Sequence, residues 1–284
     1  MSLNRNNKIL IVGLGLLGGS YAEALSDKGF EVGALDVKES SIEYGISHKL
    51  ISHGQVEVTK EYVSKFDVII FCLYPKLFIE WIKEYQSFIK PNTIITDVTG
   101  IKKWVIEELN SILREDVEYI GAHPMAGKEV YGVENSSKEM FKPANYIITP
   151  TSKSSSSAVE VARSIGELLE FKTIVELTPE VHDEMIGFLS QLTHCIAVSL
   201  MTCKESEHLV SYTGDSFRDL TRIAKINENL WSELFILNKE ELINQMDLFL
   251  EQFTNLKEAI NNNDLDKMKE IMKLSTKRRS YFDK

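Results

Sequence analysis

The segment Lys8–Gly18 reads KILIVGLGLLG, a strand-like run followed at once by three glycines in a GxGxxG pattern. In a strand–turn–helix unit these glycines have separate roles. Gly13 permits the tight turn, Gly15 lets the backbone approach a pyrophosphate, and Gly18 allows the helix to pack closely on the strand. The helix that follows presents its unpaired N–H groups to the phosphates. The segment therefore predicts a dinucleotide-binding domain at the start of the chain.

An acidic residue, Asp36, ends the next strand-like run, where a carboxylate can hydrogen-bond the adenosine ribose hydroxyls. Its charge disfavours the extra phosphate of NADP, although Lys38 lies close by and leaves NADP open. A glycine-rich turn without a cofactor is the alternative, but it does not explain why three glycines and an acid coincide. We therefore predict NAD as the cofactor. The residues expected to bind it are Gly13, Gly15, Leu16, Leu17, Gly18, Asp36, Leu73 and Asp97.

Strand-like and helical patterns alternate through the first half of the chain, which predicts an α/β fold with a parallel sheet. The predicted strands are Lys8–Val12, Glu31–Asp36, Asp67–Leu73, Thr93–Val98, Glu118–Gly121, Tyr146–Thr149 and Lys172–Glu176. Strand character ends near Leu177, so we predict a Rossmann domain at 1–177 and an all-helical dimerisation domain at 178–284. The Ser-rich stretch Ser152–Ser157 is an alternative linker, but a helical pattern follows it directly and serines commonly cap helices.

The helical part carries more apolar surface than it can bury alone. His182–Glu205 has a long apolar pattern with few charges, which is unusual for a surface helix. A helical domain of about a hundred residues has a limited interior. We therefore expect a second copy of the chain to cover it, giving a homodimer.

The composition excludes several classes of protein. A formal net charge of −10 argues against nucleic-acid binding, although a few buried basic groups can still bind an anionic small molecule. No apolar run approaches the roughly 20 residues that span a bilayer, and the N-terminus has no secretory signal. Cys72, Cys195 and Cys203 have neither disulfide nor metal-ligand spacing. We expect reduced core cysteines, no metal and no membrane partner, in a cytoplasmic protein.

Two further segments follow predicted strands, at the edge of an open α/β sheet where ligands bind. They are Asp97–Lys102 (DVTGIK) and Gly121–Glu129 (GAHPMAGKE). A histidine such as His123 beside a nicotinamide can accept the proton of an alcohol that is being oxidised. A loop histidine alone is more often structural, so the neighbouring dinucleotide site carries this hypothesis.

Four segments together resemble the prephenate dehydrogenase family. They are GLGLLGGS (13–20), DVTGIK (97–102), GAHPMAGKE (121–129) and TGDSFRDLTRIAKINENLW (213–231). The similarity runs in order from residue 8 to at least residue 240. It implies a Rossmann domain, a helical dimerisation domain, and NAD-dependent oxidative decarboxylation of prephenate to 4-hydroxyphenylpyruvate in tyrosine biosynthesis.

The resemblance also implies roles for single residues. His123 accepts the proton of the ring 4-hydroxyl, and Arg222 binds a substrate carboxylate, which a guanidinium recognises in a bidentate way. Ser190 and His194, one helical turn apart, bind substrate, and Trp231 reaches the neighbouring subunit's pocket. Without the resemblance, His194 and Trp231 would be read as core residues and Arg222 as a surface charge paired with Asp219. Charged residues expected to line or gate the entrance are Glu129, Asp183, Arg218 and Asp219.

The sequence departs from the family pattern at three places. Gly100 stands where the family has a serine that holds the reacting hydroxyl, and the adjacent Thr99 is a candidate substitute. The segment 190–194 reads SQLTH where the family commonly has SHLPH. Asp215 lies in a segment that is usually Gly-rich, and near the side-chain end of the pocket it would repel a pyruvyl carboxylate and favour an amino group. Arogenate, the amino analogue, is therefore the alternative substrate.

Two other functions fit a Rossmann domain followed by helices. A β-hydroxyacid dehydrogenase or imino-acid reductase generally uses a lysine in the helical domain or lacks the HPMAG loop. The second is a non-catalytic NAD-binding sensor. The presence of both His123 and Arg222 argues against each of them. Because the sequence ends soon after the helical part, we expect no C-terminal ACT domain, and we expect no mutase domain before the Rossmann fold.

Overall fold

The computed structural model describes residues 3–204 and 208–283. It confirms the predicted α/β class, with a Rossmann-type sheet first and helices after it. The strands are β1 (Lys8–Val12), β2 (Glu31–Leu35), β3 (His53–Gln55), β4 (Val68–Phe71), β5 (Ile94–Asp97), β6 (Glu118–Pro124), β7 (Asn145–Thr149) and β8 (Thr173–Glu176). The helices are α1 (Leu16–Asp27), α2 (Glu39–Ser47), α3 (Lys60–Val63), α4 (Pro75–Tyr85), α5 (Lys103–Ile112), α6 (Ser156–Leu168), α7 (Pro179–Ile186), α8 (Leu192–Thr202), α9 (Asp215–Thr221), α10 (Glu228–Leu237), α11 (Lys239–Asn261) and α12 (Leu265–Arg279).

The eight strands form one sheet in the order β3-β2-β1-β4-β5-β6-β7-β8. Neighbouring strands are parallel except β6 and β7, which are antiparallel. The strand order reverses between β1 and β4. In open α/β sheets such a switch point opens a crevice at the carboxyl ends of the strands, where ligands bind.

Both faces of the sheet are buried, which explains why its central strands are apolar along their whole length. In β1, Ile9 and Ile11 face a core that includes α1 and α6, while Leu10 and Val12 face a second core with α4 and α5. All four side chains are at most 3% exposed. The period-two alternation of a strand therefore divides one run between two cores.

The ends of some elements differ from the sequence-based prediction. β6 extends through Pro124, so His123 lies inside the strand and pairs with Ile147 of β7, rather than following the strand's carboxyl end. The hydroxyl of Ser155 accepts the N–H of Ala158 and caps α6, so the Ser-rich stretch begins a helix and is not a linker. Cys203 is exposed, so its assignment to the core is wrong.

The long helix predicted at His182–Glu205 spans Pro179–Thr202, with a π-helical turn at Gly187–Gln191. Glu205 lies outside the described residues. By length and composition this helix could cross a membrane, since its most apolar window has a mean hydropathy of 1.4, although polar residues interrupt its apolar runs throughout. Only 28% of that window is buried within the chain. Three of its polar side chains are nevertheless buried and hydrogen-bonded, namely His182, Asp183 and Gln191.

The helical part packs on the carboxyl edge of the sheet. The Asn227 side chain donates to the Tyr74 hydroxyl at 2.8 Å, and Leu234 of α10 is buried in the core that contains α4 and α5. In the described residues β8 ends at Glu176 and the later elements are helical. We propose the domain boundary there, between 1–177 and 178–284.

The three loop glycines are in different surroundings. Gly13 has φ of +95°, and a Cβ built on it would lie 2.7 Å from the Cys72 carbonyl oxygen. A Cβ on Gly18 would overlap the carbonyl oxygen of Gly13. Among the described residues, a Cβ on Gly15 meets nothing within 4 Å. The loop conformation therefore depends on Gly13 and Gly18, while Gly15 leaves space open.

This difference predicts that two alanine substitutions lower the free energy of unfolding by different amounts. Gly18→Ala should lower the free energy of unfolding by about 1–3 kcal/mol, because the helix must move away from the turn. Gly15→Ala, the matched control, meets no neighbour and should cost less than about 1 kcal/mol, because only the preference for glycine over alanine at an N-cap is lost. Urea denaturation of both variants measures this. Equal stability of the two variants would contradict the assigned packing.

Candidate active site

The turn between β1 and α1 has the features of a dinucleotide phosphate site. Gly15 is the N-cap of α1, with no side-chain cap among the described residues, so N–H groups of the first helical turn remain available to an anion. The space in front of Gly15 is where a Cβ would otherwise stand. Leu16, Leu17 and Leu73 are half-buried around the turn. These residues fit a bound pyrophosphate.

Asp36 lies at the end of β2, as predicted. Its carboxylate accepts the backbone N–H of Leu14 at 2.7 Å and of Lys38 at 2.8 Å. These bonds tie the glycine turn to the neighbouring strand. Each carboxylate oxygen still has a lone pair for a ribose hydroxyl, so the position fits the expected role.

Asp97 is at the centre of a buried polar cluster rather than at the cofactor surface. Its carboxylate accepts hydrogen bonds from the Lys102 ammonium at 2.6 Å and the Tyr119 hydroxyl at 2.7 Å. The Asp97 and Lys102 side chains are both 0% exposed. Burial lowers the pKa of Lys102, although the carboxylate of Asp97 opposes that shift. The structure therefore gives Asp97 a supporting position and not the cofactor contact that we expected.

Thr99 belongs to the same cluster. Its hydroxyl donates to the Asp97 carboxylate and lies 3.2 Å from the Lys102 ammonium, and the residue is 4% exposed. The single proton of this hydroxyl is already donated to Asp97, so the nearly buried side chain has no free donor for a substrate. The expectation that Thr99 replaces the missing serine is not supported by this geometry.

His123 stands above this cluster with a partly exposed ring. Its Nδ1 lies 2.9 Å from Nε2 of His182, and Nδ1 of His182 lies 2.6 Å from the Asp183 carboxylate. Among the described residues, Nε2 of His123 has no hydrogen-bond partner. Burial lowers the pKa of His123 well below its ordinary 6.5, and His182 and Lys102 lower it further. His123 is therefore a neutral imidazole at neutral pH, as a general base must be.

Gly100 lies directly beside the free nitrogen of His123. A Cβ built on Gly100 would be 3.7 Å from Nε2 and Cε1 of His123, and 3.7 Å from Leu234. These are ordinary van der Waals distances, so the position has room for a reacting group next to Nε2. The predicted placement of Gly100 near the chemistry agrees with this geometry.

Asp183 does not lie at an entrance, contrary to expectation. It is 2% exposed, and its two carboxylate oxygens accept the backbone N–H groups of Lys102 and Lys103 at 2.8 and 2.9 Å. These are among the first N–H groups of α5, which have no partner within the helix. Asp183 therefore caps α5 while it also holds His182.

A second group of predicted residues lies together on the helical side. The imidazole of His194 stacks on Trp231 with ring centroids 3.6 Å apart, and its Nδ1 donates to the Ser190 carbonyl at 2.8 Å. Burial lowers the pKa of His194, although its bond to Ser190 opposes the shift. Arg222 forms an ion pair with Glu129 of the loop after β6. Trp231 thus contacts a histidine of its own chain, and its predicted contact with the neighbouring subunit stays a prediction.

The two groups are connected through α10. Leu234 faces Gly100, and Trp231, one turn earlier on the same helix, stacks on His194. The remaining predicted residues are exposed. The Asp215 side chain is 92% exposed and pairs with Arg218. Asp219 is also exposed, and the ion-pair partner of Arg222 is Glu129 rather than Asp219.

Sequence reasoning missed three residues of the site, His182, Lys102 and Tyr119. His182 precedes Asp183 in the first turns of α7, and Lys102 ends the DVTGIK segment. Closeness in sequence to a predicted site residue or segment was the one signal that could have pointed to His182 and Lys102. Nothing in the local pattern indicates that these side chains meet beneath His123.

Comparisons with known proteins agree with the geometry. A family model described as "Prephenate dehydrogenase, nucleotide-binding domain" matches residues 21–175. A second, described as "Prephenate dehydrogenase, dimerization domain", matches residues 178–274. Together they cover β2 to β7, most of β8 and most of the helical part, whereas β1 and the glycine turn lie before the matched residues.

Individual relatives extend the same likeness. The prephenate dehydrogenase of Bacillus subtilis (strain 168) is 27% identical over 269 residues, which cover 92% of this chain and 72% of that protein. The cyclohexadienyl dehydrogenase of Zymomonas mobilis is 26% identical over 278 residues, covering 95% and 94%. The crystal structure of Aquifex aeolicus prephenate dehydrogenase with hydroxyphenyl propionate and NAD+ has a TM-score of 0.88 at 27% identity, covering 99% of this chain and 100% of that one.

The buried pair beneath His123 predicts a large effect of one substitution. Lys102→Met leaves the Asp97 carboxylate buried without its cation and should lower the free energy of unfolding by about 3–5 kcal/mol. Lys103→Met, at the exposed neighbouring position, is the control and should cost less than about 0.5 kcal/mol. Urea denaturation distinguishes the two. A similar small effect for both would show that the pair does not stabilise the fold.

Proposed function

The chain belongs to the prephenate dehydrogenase family, and we propose that it oxidises prephenate with NAD, releasing carbon dioxide and 4-hydroxyphenylpyruvate on the route to tyrosine. One observation carries the proposal. The free Nε2 of His123 faces the space beside Gly100, at the same edge of the sheet as the glycine turn. An alcohol placed there has a neutral base within reach.

The cofactor is NAD. The open space at Gly15, the uncapped N-terminus of α1 and the carboxylate of Asp36 support binding of the pyrophosphate and the adenosine ribose. Leu16, Leu17 and Leu73 would border it. NAD held there would supply the hydride acceptor for the ring carbon that carries the hydroxyl.

His123 has the proton-transfer role. Its Nε2 takes the proton of the ring 4-hydroxyl while hydride leaves the same carbon. The bond between the ring and its carboxylate then breaks, the electron pair enters the ring, and carbon dioxide leaves. The product ring is aromatic, so the step is irreversible. A neutral imidazole in a desolvated site suits this role because it has a lone pair and no competing proton.

The group of Ser190, His194, Trp231 and Arg222 would bind the rest of the substrate. A guanidinium binds a carboxylate in a planar, bidentate way. Arg222 is paired with Glu129, so a substrate carboxylate would replace Glu129 as its partner. Glu129 then has the gating role, with Arg218 and Asp219 exposed on the neighbouring helix.

Prephenate is the favoured substrate over arogenate. Asp215, the residue that favoured an amino group, is turned to solvent and pairs with Arg218. That observation removes the main reason for arogenate within one chain.

We propose a homodimer formed through the helical domain. The matching family model is described as a dimerization domain. Large apolar side chains remain exposed on this part of the chain, including Phe188, Leu189, Leu220, Ile236, Leu248 and Phe253. A second copy would cover them, as expected for exposed apolar patches of this kind. Light scattering at micromolar concentration should give twice the 32.3 kDa chain mass, and a monomer mass would contradict the proposed homodimer.

We also propose that the protein is cytoplasmic. Its three free cysteines agree with a reducing compartment.

The substrate assignment is tested by NADH formation from purified protein, NAD, and either prephenate or arogenate. We expect turnover of prephenate with release of 4-hydroxyphenylpyruvate. Turnover of arogenate alone would keep the mechanism and change the substrate. No NADH with either compound, despite NAD binding, would overturn the proposed function.

The base is tested by His123→Asn. This variant should bind NAD normally and lose about two to four powers of ten in kcat, because the proton acceptor is gone. The matched control is His48→Asn, which replaces an exposed histidine at the C-terminal end of α2 and should keep full activity. Unchanged turnover in His123→Asn would remove His123 from the reaction.

A further inference from the structure

Three side chains form a continuous hydrogen-bonded line that ends at the base. The Asp183 carboxylate lies 2.6 Å from Nδ1 of His182, and Nε2 of His182 lies 2.9 Å from Nδ1 of His123. His182 is 0% exposed and Asp183 is 2% exposed. Both come from α7, in the helical domain, whereas His123 comes from β6 of the sheet. The line therefore joins the two parts of the chain at the reacting nitrogen.

The chemistry of each group fixes the direction of these bonds. Asp183 accepts two backbone N–H groups, from Lys102 and Lys103, in addition to the histidine, and a carboxylate with three N–H donors is a pure acceptor. His182 must therefore carry a proton on Nδ1. In a neutral His182 the other nitrogen, Nε2, is then an acceptor. It follows that His123 carries its proton on Nδ1 and has a lone pair on Nε2.

We propose that His182 and Asp183 are positioning residues that hold His123 in the tautomer whose Nε2 can accept a proton from substrate. This rests on the proposed function, in which His123 is the base. Neither residue touches the reacting atoms. In the opposite tautomer Nε2 of His123 would carry a proton and face the substrate hydroxyl as a donor, so no proton transfer could occur.

Burial and the Lys102 cation favour the neutral form of both histidines, which the positioning requires, while the carboxylates of Asp183 and Asp97 oppose this at His182. The charged groups that act on them are Asp97 and Lys102 at the β5–α5 turn and Asp183 on α7. Burial lowers the pKa of His182, as it does that of His123, and the Lys102 cation lowers both. As pH falls through these lowered values, a proton on His182 would turn its Nε2 into a donor, and His123 could then no longer donate to it. Activity should therefore persist below pH 6.5, the ordinary histidine value, and be lost at lower pH.

Variants of His182 separate positioning from packing. Asp183 is unsuitable because it also caps α5. His182→Leu fills the buried space without an acceptor, whereas His182→Gln keeps a carbonyl oxygen that can accept from Nδ1 of His123. His48→Gln, at an exposed site, is the control for the substitution itself.

The test has two independent readouts on the holoenzyme with NAD. Nitrogen NMR of imidazole-labelled protein reports the tautomer of His123 directly, with the assignment made by loss of its signals in His123→Asn. Steady-state kinetics over pH report its consequence. We expect an Nδ1–H tautomer in the native protein, and a mixture of tautomers in His182→Leu with kcat lowered by at least about 10-fold and by at most about 10⁴-fold, the loss seen when a catalytic histidine is held in the wrong tautomer. KM and NAD affinity should be unchanged, and His182→Gln should recover most of kcat.

Several outcomes would overturn the proposal. One is an Nε2–H tautomer of His123 in the native holoenzyme. Another is equal kcat and equal acid limbs in His182→Leu, His182→Gln and the native protein. If His182→Leu does not fold, the native spectrum and His182→Gln decide the question. The NMR spectrum reports the tautomer without any turnover. Absence of NADH formation would therefore reject the proposed function, while the spectrum alone would still decide whether His182 and Asp183 position His123.

Discussion

The Asp183 carboxylate is the contact on which the geometry of the site depends. It accepts the backbone N–H groups of Lys102 and Lys103 from the sheet domain, and the ring N–H of His182 beside it in the helical domain. A buried carboxylate is tolerated only when such donors satisfy it, because its desolvation is costly. The two backbone donors therefore fix α7 against the start of α5, and the third bond orients the ring of His182. The orientation of His123 follows from this joint.

A second buried carboxylate, Asp97, lies close to Asp183 and pairs with Lys102. Asp97 and Lys102 neutralise one another at the end of β5, and Thr99 and Tyr119 complete the cluster. Lys102 links the two sites, since its backbone N–H is bound by Asp183 and its ammonium by Asp97. The arrangement places a fixed cation close to His123, which disfavours a second positive charge there. A base that stays neutral is a consequence of this packing.

Local sequence signals predicted the sheet and the cofactor turn well, because those features depend on short segments. A GxGxxG after a strand requires a turn at Gly13 and close packing at Gly18, and both are present. The α/β class and the helical second half follow from the periodicity. Burial was harder to predict. Asp97, Thr99 and Asp183 are polar residues near a predicted site, and their sequence neighbourhood does not show that they satisfy one another instead of a ligand.

The helical half shows the same limit in a different form. Trp231 meets His194 only because α10 packs against α8, a contact between residues far apart in the chain. The apolar length of Pro179–Thr202 was visible, but which of its sides is covered by the chain and which remains exposed depends on the fold. His182 was missed for that reason. Its role arises from a partner 59 positions away.

The central claim is that Nε2 of His123 receives the proton of the ring hydroxyl. A crystal structure of the complex with NAD and 4-hydroxyphenylpyruvate measures this most directly. We expect the phenolic oxygen to lie next to Gly100, within about 2.6–3.2 Å of Nε2 of His123. Nδ1 of His123 should still be hydrogen-bonded to His182. A phenolic oxygen bound elsewhere, with no imidazole nitrogen of His123 in hydrogen-bonding reach, would contradict it.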